Sequence, residues 1–262
     1  MKASLALAAA SAALVMGGCI PMAIAGEMKQ GKLVGSGVMT TKTIEHKGLR
    51  GLEVGSAFEV TITPDDAPLV VTIEDNLVDH LKAEESRGIM ELDTMARSIS
   101  TEKGMKATIG IKNLESLEIT GGAKVILADA KVQRLELDMN GAGKLAFSGT
   151  LENLEADLNG ASEATFEASP KRIRAEASGA SKIDFNNKSE VESLIAELDG
   201  ASSLKLAAKT KEADVELTGA SSATFAAEKL RGFAKGASSL KLLSKPASTS
   251  FSVQGASSMS QP

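Results

Sequence analysis

Six acidic side chains recur at one position of a repeated phrase, and they are the side chains of this chain best placed to do chemistry. Each lies three residues before a glycine that opens a turn: Glu118, Asp138, Asp157, Glu176, Glu197 and Glu216. If the repeats stack in register, these carboxylates form one outward-facing column in which neighbouring like charges repel. Such a column predicts either a site for a divalent cation or a surface that binds a basic partner.

A solvated face without a ligand is the alternative interpretation. Calcium takes roughly six to eight oxygen ligands that converge on one point, which a straight column does not supply. Lys124, Lys144 and Lys182 follow their glycines across the turn, and we expect them to neutralise the column. The carboxylates are therefore a candidate ligand-facing surface, and the sequence predicts no metal site and no cofactor.

The serines of the Gly-Ala-Ser turns form a second column. They are Ser162, Ser181, Ser202, Ser221, Ser238 and Ser257. A nucleophilic serine needs a base and an oxyanion hole, and the two histidines, His46 and His80, lie upstream outside any recognisable motif. Turn serines commonly bond to nearby backbone, and we expect that role here. The sequence contains no CxxC, HExxH, P-loop or Rossmann fingerprint, so we predict no catalytic residue.

Both columns arise from a repeat of about 19 residues. The copies LELDMNGAGKLAF, LEADLNGASEATF, IRAEASGASKIDF, LIAELDGASSLKL and ADVELTGASSATF lie between residues 135 and 225, and the turn glycines are spaced by 17 to 21 residues. A fixed period of this size marks stacked repeats, each of which buries its apolar side against the next. Apolar residues alternate with period two on both sides of the glycine, which indicates two strands in each unit.

Two architectures satisfy this pattern: an antiparallel meander of hairpins, or a parallel β-helix with one unit in each coil. Equivalent residues are alike from unit to unit, as at Phe147, Phe166, Phe185 and Phe225. In a coil, like stacks directly on like at about 4.8 Å. We therefore predict an all-β parallel β-helix, a solenoid of about 19-residue coils with these phenylalanines in an inward ladder.

Residues 1–25 have the features of a secretion signal. Lys2 precedes the apolar run Leu5–Met16, which is too short to span a bilayer as a helix. Two cleavage sites compete: a lipobox-like MGGC that ends at Cys19, which would then be acylated, and an A-x-A site that ends at Ala25. Cys19 is the only cysteine, so the mature protein has no internal disulfide. We expect export to the periplasm, the outer membrane or the cell surface, with a lipid anchor if Cys19 is acylated.

Downstream of the signal, the sequence predicts a tether and one domain. Residues 26–42 are polar and glycine-rich, as expected of a tether. Residues 43–262 form the β-helix domain, in which 43–112 supply irregular first coils and a cap and 113–262 supply the regular repeats. A cap is expected because an open coil end exposes unpaired strand edges. At the other end the stretch Met259-Ser260-Gln261-Pro262 follows the last turn, and Pro262 cannot donate a ladder hydrogen bond. This weak protection leaves end-to-end self-association open.

The segments IEHKGLRGLEVGSAFEVTI, VTIEDNLVDHL and LESLEITGGAKVIL, followed by serial GAS turns, resemble the bacterial auto-transporter adhesin, head GIN domain family. The resemblance covers residues 43 to 260. It implies a secreted or lipid-anchored right-handed β-helix, and it brings no catalytic residues. This chain departs from the family in having no tyrosine and no tryptophan, which argues against an aromatic platform for carbohydrate.

Together these patterns predict a non-catalytic exported envelope protein that binds, adheres or scaffolds through long flat faces. The partner is an unidentified ligand, either a polysaccharide or an envelope protein, and the net charge of −5 argues against nucleic acid. Two alternatives stay open: a polysaccharide-active lyase or hydrolase, since parallel β-helices host such enzymes, and a purely structural rod. The short, uniform coils lack long inserted loops that could wall a cleft, which disfavours the enzyme.

Overall fold

The fold was examined in a computed structural model that describes residues 28–29, 32–96 and 98–262. It is a β-solenoid of about eight turns with coils of about 19 residues, which confirms the predicted fold class. Within the described residues, no helix has the length and apolar character needed to cross a bilayer. The predicted signal sequence and Cys19 lie outside the described residues.

Short strands and one 3₁₀ helix make up the N-terminal part. The strands are β1 (Met28–Lys29), β2 (Lys32–Val34), β3 (Met39–Ile44), β4 (Gly51–Val54), β5 (Phe58–Thr63), β6 (Leu69–Glu74), β7 (Leu81–Ser86), β8 (Ile89–Thr94), β9 (Ile99–Ser100) and β10 (Met105–Gly110). The 3₁₀ helix spans Asp75–His80, between β6 and β7.

Longer strands build the regular coils. They are β11 (Ser116–Gly121), β12 (Lys124–Gly141), β13 (Lys144–Gly160), β14 (Glu163–Glu167), β15 (Arg172–Ala177), β16 (Lys182–Phe185), β17 (Val191–Leu198), β18 (Ser203–Leu217), β19 (Ser222–Ala234), β20 (Ser239–Leu242), β21 (Ser248–Val253) and β22 (Ser258–Ser260). β12, β13, β18 and β19 are long because each continues around a corner of its coil.

Each regular coil supplies one strand to each of two stacked sheets. The front sheet precedes the turn glycine and is ordered β8, β4, β11, β12, β13, β15, β17, β18, β19, β21, all in parallel register. The back sheet follows the glycine and is parallel from β10 through β5 and β12 to β22. Equivalent residues of successive coils therefore stack directly on each other, as the repeat predicted.

The core lies between the two sheets and is built from ladders of like residues. Phe147, Phe166, Phe185 and Phe225 are at most 1% exposed, so the predicted inward phase is confirmed. The ring centroids of Phe147 and Phe166 are 5.8 Å apart, and those of Phe166 and Phe185 are 4.8 Å apart in a stacked pair. Ring stacking at the coil spacing adds to the burial energy of the aromatic side chains.

The coils of the N-terminal part do not stack in chain order. β4 pairs with β8 on one side and with β11 on the other, and β5 lies in the same way between β10 and β12. The first coil of the chain thus lies between two coils whose strands come later in the sequence. Residues 43–112 were predicted to form irregular first coils and a cap, but this order was not predicted, because the pairing partners of irregular strands leave no periodic signal.

Antiparallel strands cover the N-terminal end of the solenoid. β7 pairs antiparallel with β8, while β6 pairs antiparallel with β10 and β3. The segment expected to be a tether contributes β2 and β3, and Leu33 of β2 is buried. An apolar side chain that reaches the core and a strand that pairs with the sheet hold these residues in the fold, whereas composition alone indicated a tether.

A buried carboxylate fastens this cap. Glu74 is 0% exposed and its Oε1 accepts hydrogen bonds from Thr101 Oγ1 at 2.7 Å, Glu102 N at 2.9 Å and Lys103 N at 3.1 Å. Its Oε2 accepts one from Gly37 N at 3.2 Å. Burial alone raises the pKa of Glu74, but these hydrogen bonds outweigh it and leave the pKa below the usual value. One side chain thus ties two loops to the end of β6.

Candidate binding face

The turn glycine fixes which side chains the front sheet presents to solvent. Gly160 has φ of +89°, and a Cβ there would lie 2.5 Å from the carbonyl oxygen of Gly141 in the coil below. Ala161 N donates a hydrogen bond of 2.7 Å to that same oxygen. The close stacking needs a residue without a side chain and a left-handed conformation. With the corner fixed, the residues one and three positions before the glycine point outward.

The structure brings all six predicted carboxylates into one column. Across the front sheet the pairing runs, residue by residue, Glu118, Asp138, Asp157, Glu176, Glu197, Glu216. Neighbours are therefore one strand apart, at about 4.8 Å. The column ends where Phe233 pairs with Glu216.

Two more carboxylates extend this column at its N-terminal end. Glu53 pairs with Glu118, and Glu91 pairs with Glu53. They were not among the predicted carboxylates because the predicted register uses turn glycines, whereas Ser56, with φ of +55°, occupies the turn position after Glu53. Aligned on Ser56, Glu53 falls three residues before the turn like the others. For Glu91 no turn glycine marks the position. We call these eight side chains the acidic column.

The lysines across the turn do not neutralise the acidic column, which corrects the sequence-based expectation. Lys124 pairs with Glu59 at 3.1 Å and Lys144 with Glu163 at 2.9 Å, while Lys182 contacts Glu163 at 3.0 Å and Asp184 at 2.8 Å. All of these partners lie on the back sheet. The chain turns a corner between the acid, three residues before the glycine, and the lysine, three residues after it. The lysines therefore lie on the back sheet, away from the acidic column.

Only parts of the acidic column have cationic neighbours among the described residues. Arg174 contacts Glu176 at 2.5 Å and Glu197 at 3.7 Å, and Lys82 contacts Glu91 at 2.6 Å. The other five members, for which the described residues supply no ion pair, are Glu53, Glu118, Asp138, Asp157 and Glu216. The middle of the column is therefore a run of adjacent, uncompensated negative charges.

The pKa values report this crowding. Partial burial and then the charges of Glu53, Asp138 and Glu91 raise the pKa of Glu118. For Asp138, partial burial and the charge of Asp157 raise the pKa, against a hydrogen bond that lowers it. Both groups hold their protons more tightly in the fold than in the unfolded chain. The column is thus a surface on which a nearby positive charge would be favourable.

A shallow groove accompanies the column along the residues that immediately precede the turn. It encloses about 300 Å³ between Asp157, Glu176, Glu197 and Glu216 on one side and polar side chains on the other. Asn140 Nδ2 donates to Asp138 Oδ1 at 2.6 Å. The polar side chains are Asn159, Ser178, Asp199 and Thr218. Asn140 and Asn159 each donate to the carboxylate two residues before them, whereas Ser178 donates to Asn159 and Thr218 donates to Asp199.

The column is not arranged as a metal site. Within the described residues, no group of three or more His, Cys, Asp or Glu side chains is placed to hold a metal ion. Stacked strands space the carboxylates in a line, whereas calcium needs oxygens that converge from several directions. The arrangement suits a ligand whose positive charges are spread over some distance.

Five of the six turn serines are buried, and four of these five donate a hydrogen bond to backbone. Ser162, Ser181, Ser202, Ser221 and Ser238 are each 1% exposed. Ser181 Oγ donates to Ser178 O at 2.9 Å and Ser221 Oγ to Thr218 O at 2.6 Å, the local bonds expected of turn serines. Ser257 is half-buried. His46 bonds to Ala67 O at 2.8 Å, and His80 ends the 3₁₀ helix, so neither histidine adjoins a turn serine.

The fold and this face together define a class: a β-solenoid repeat protein whose polar residues are aligned in columns on flat outer sheets. Within that class, the chain belongs to the family described as "Putative auto-transporter adhesin, head GIN domain", which matches residues 48–189. The resemblance drawn from the sequence is thereby confirmed. Among curated proteins, none matches the chain.

Solved structures of similar shape share the fold. One, titled "Putative lipid binding protein" from Parabacteroides distasonis ATCC 8503, is 20% identical with a TM-score of 0.80 over 88% of this chain and 99% of its own. A "putative adhesin" from Parabacteroides merdae ATCC 43184 is 14% identical with a TM-score of 0.72 over 88% and 99%. Another, from Bacteroides fragilis NCTC 9343, is 15% identical with a TM-score of 0.61 over 88% and 100%.

Proposed function

We propose that this protein is an exported, non-catalytic binding module of the cell envelope, and that the acidic column is its partner-facing surface. Membership of an adhesin-named family and the adhesin titles of two similar structures support a binding role and a location outside the cytoplasm. Acylation of Cys19 would hold the module on a membrane, and it belongs to the same proposal. The partner is a protein segment rich in lysine and arginine.

The observation that carries this proposal is the uncompensated middle of the acidic column. Asp138 and Asp157 are adjacent in register, and neither has an ion pair among the described residues. A cationic segment laid along the column would relieve the repulsion between its carboxylates and form new ion pairs. Such complementarity mainly raises the association rate and selects the partner, and it weakens steeply with salt.

One observation favours the alternative function, a polysaccharide-active lyase or hydrolase. Retaining glycosidases use two carboxyl groups about 5 Å apart, one with a raised pKa, and Asp138 with Asp157 approximates that spacing with a raised pKa at Asp138. The acidic column, however, repeats one environment many times, whereas acid and nucleophile need different environments. The open groove beside it also leaves both faces of a bound sugar in water.

The test uses a fluorescent decalysine peptide and the secreted chain. Binding is measured by anisotropy at low and at high salt, with a decaglutamate peptide as the charge control. We expect decalysine alone to bind, and an Asp138→Asn, Asp157→Asn, Glu216→Gln variant to lose about tenfold in affinity or more.

A matched control removes the same charge elsewhere. Glu45→Gln, Asp79→Asn, Glu85→Gln takes three exposed acids from the cap and should leave affinity nearly unchanged. Equal losses in both variants would show that net charge, and not the column, attracts the peptide, and the proposal would then be wrong.

A further inference from the structure

A larger groove lies where the N-terminal cap meets the first regular coil, at the border of the front sheet opposite to the turn glycines. It encloses about 830 Å³, within the range of roughly 300 to 1,000 Å³ that ligand sites occupy. One wall is the segment 112–116, and the other is the stretch of β12 from Lys131 to Arg134. We call it the junction groove.

The chain path explains why this groove exists. The chain leaves the first coil after β5, so that coil has no further strand at this side of the solenoid. After β10 the chain crosses directly to β11, and the segment 112–116 passes through the space left there. β12 pairs with β13 over Ala130–Val132. On its other edge, β12 pairs with β5 only up to Leu127 and with β11 only from Glu136. Within the described residues, the intervening stretch of β12 has no partner strand on the groove side.

An unpaired strand edge exposes backbone donors and acceptors that a further strand can satisfy. The floor beside this edge is apolar, because Leu49, Leu114 and Val132 line the groove while being only 4 to 6% exposed. An apolar floor next to an open edge is the arrangement in which proteins add an extended peptide as an extra strand.

Several charged side chains on the rim of the groove have no partner among the described residues. Arg50 pairs with Glu115 at 3.5 Å, and Arg134 pairs with Glu155, outside this groove, at 2.8 Å. Lys112 and Lys131 line the groove, and the described residues supply no hydrogen bond or ion pair to either ammonium group. The uncompensated acids of the rim are Asp66 and Glu136. The two lysines belong to opposite walls, so they could hold an acidic side chain between them.

We infer that the junction groove binds an extended peptide that adds to the free edge of β12, places an apolar side chain on the floor, and sets an adjacent Asp or Glu between Lys112 and Lys131. A saccharide fits less well, because the chain has no tryptophan or tyrosine to stack on a sugar ring. This site is separate from the acidic column, and it selects the opposite charge.

A random heptapeptide library displayed on phage and selected against the whole chain tests this inference. We expect enrichment of sequences in which apolar and acidic residues alternate. Binding of the enriched peptide should weaken by about tenfold or more when Lys112→Glu and Lys131→Glu are combined. N-methylation of the peptide backbone, which removes ladder donors, should weaken it similarly.

A variant of equal charge serves as the control. Lys205→Glu with Lys241→Glu reverses two exposed lysines of the back sheet and should leave peptide affinity within twofold, as should the three substitutions in the acidic column. The inference is overturned if no sequence is enriched, if the Lys112 and Lys131 substitutions have no larger effect than the control, or if maltohexaose displaces the peptide.

Discussion

Asp138 on β12 lies directly beside Asp157 on β13, in a parallel register that also pairs Glu136 with Glu155 and Asn140 with Asn159. Among the described residues neither carboxylate has a Lys or Arg partner, and the pKa of Asp138 is raised by partial burial and by Asp157. This pair distinguishes the front sheet from the back sheet, where Glu59 lies between Lys106 and Lys124 and Glu163 lies between Lys144 and Lys182.

Replacing Asp138 by asparagine should stabilise the fold at neutral pH. The substitution removes a like-charge pair between adjacent strands, an effect of up to about 1 kcal/mol. Because the folded pKa is raised, the native state binds more protons than the unfolded chain between the two pKa values, so the repulsion appears as pH rises through that range. The difference in free energy of unfolding between Asp138→Asn and the parent should therefore be present at pH 7 and vanish below the unfolded pKa of 3.8. Urea titrations at several pH values measure it, and Asn140→Asp, which adds a charge, should act in the opposite direction.

Replacing Glu74 by glutamine should loosen the cap. The amide nitrogen of Gln would face the N–H of Gly37 instead of accepting from it, and an unsatisfied buried donor costs about 1 to 3 kcal/mol. The folded pKa of Glu74 is lowered, so its charge stabilises the fold above the unfolded value of 4.5, and this contribution is lost as pH falls through the folded pKa. Thermal unfolding should show a lower Tm for Glu74→Gln at pH 7, with the gap closing in acid.

The exposed neighbour Glu102 supplies the control for Glu74. Its side chain lies on the surface, so Glu102→Gln should change stability by no more than about 0.5 kcal/mol. Equal effects at the two positions would contradict the role given to the buried carboxylate.

Alanine at Gly160 should destabilise the solenoid strongly, whereas alanine at Gly122 should be tolerated. A Cβ at Gly160 meets the Gly141 carbonyl at 2.5 Å in a left-handed backbone, whereas a Cβ at Gly122 has its nearest neighbour at 4.0 Å. The left-handed conformation alone costs an alanine about 1 to 2 kcal/mol, and the contact with rigid backbone adds to it. Denaturant midpoints of the two variants give the comparison directly, and similar midpoints would mean that the corners are not closely stacked.

Two serines of the inward ladder should respond differently to alanine. Ser221 Oγ donates to Thr218 O at 2.6 Å and to Leu198 O at 3.1 Å, while Ser202 Oγ is buried and has no hydrogen-bond partner among the described residues. Ser221→Ala should cost about 1 kcal/mol, and Ser202→Ala should be neutral or stabilising, because it removes a desolvated hydroxyl. Calorimetry on both variants distinguishes them, and a larger loss at Ser202 would mean that this hydroxyl has a partner such as a buried water.

The regular half of this fold could be predicted from sequence because each coil repeats one set of constraints. A period-two pattern around a glycine specifies strand, corner and strand, and identical phenylalanines reveal that the coils stack in register. The column from Glu118 to Glu216 also follows from the repeat, because each of its acids lies three residues before a turn glycine. That the turn lysines do not contact this column did not follow from the sequence, because whether Lys144 reaches Asp138 or Glu163 depends on the direction of the chain after the corner.

The irregular part could not be predicted to the same depth. Ser56 has a left-handed conformation that glycine usually adopts. Because no glycine marks this turn, the sequence does not show that Glu53 lies in the column. The three-dimensional neighbours of β4 lie far downstream in sequence, and no local pattern encodes them. The junction groove results from that crossing of chain segments, and it therefore had no signal in the sequence.

The enclosure of β4 between β8 and β11 has a consequence for how the molecule is made. A solenoid with sequential coils can grow by adding each new coil to the last as the chain emerges. Here the edge of β4 that faces β8 stays open until residue 94 is available, and the edge that faces β11 stays open until residue 121, because both neighbours come from later segments. The first coil is therefore enclosed on both sides only when residues up to 121 are available, and the regular coils then continue the stack from the edge that this unit presents.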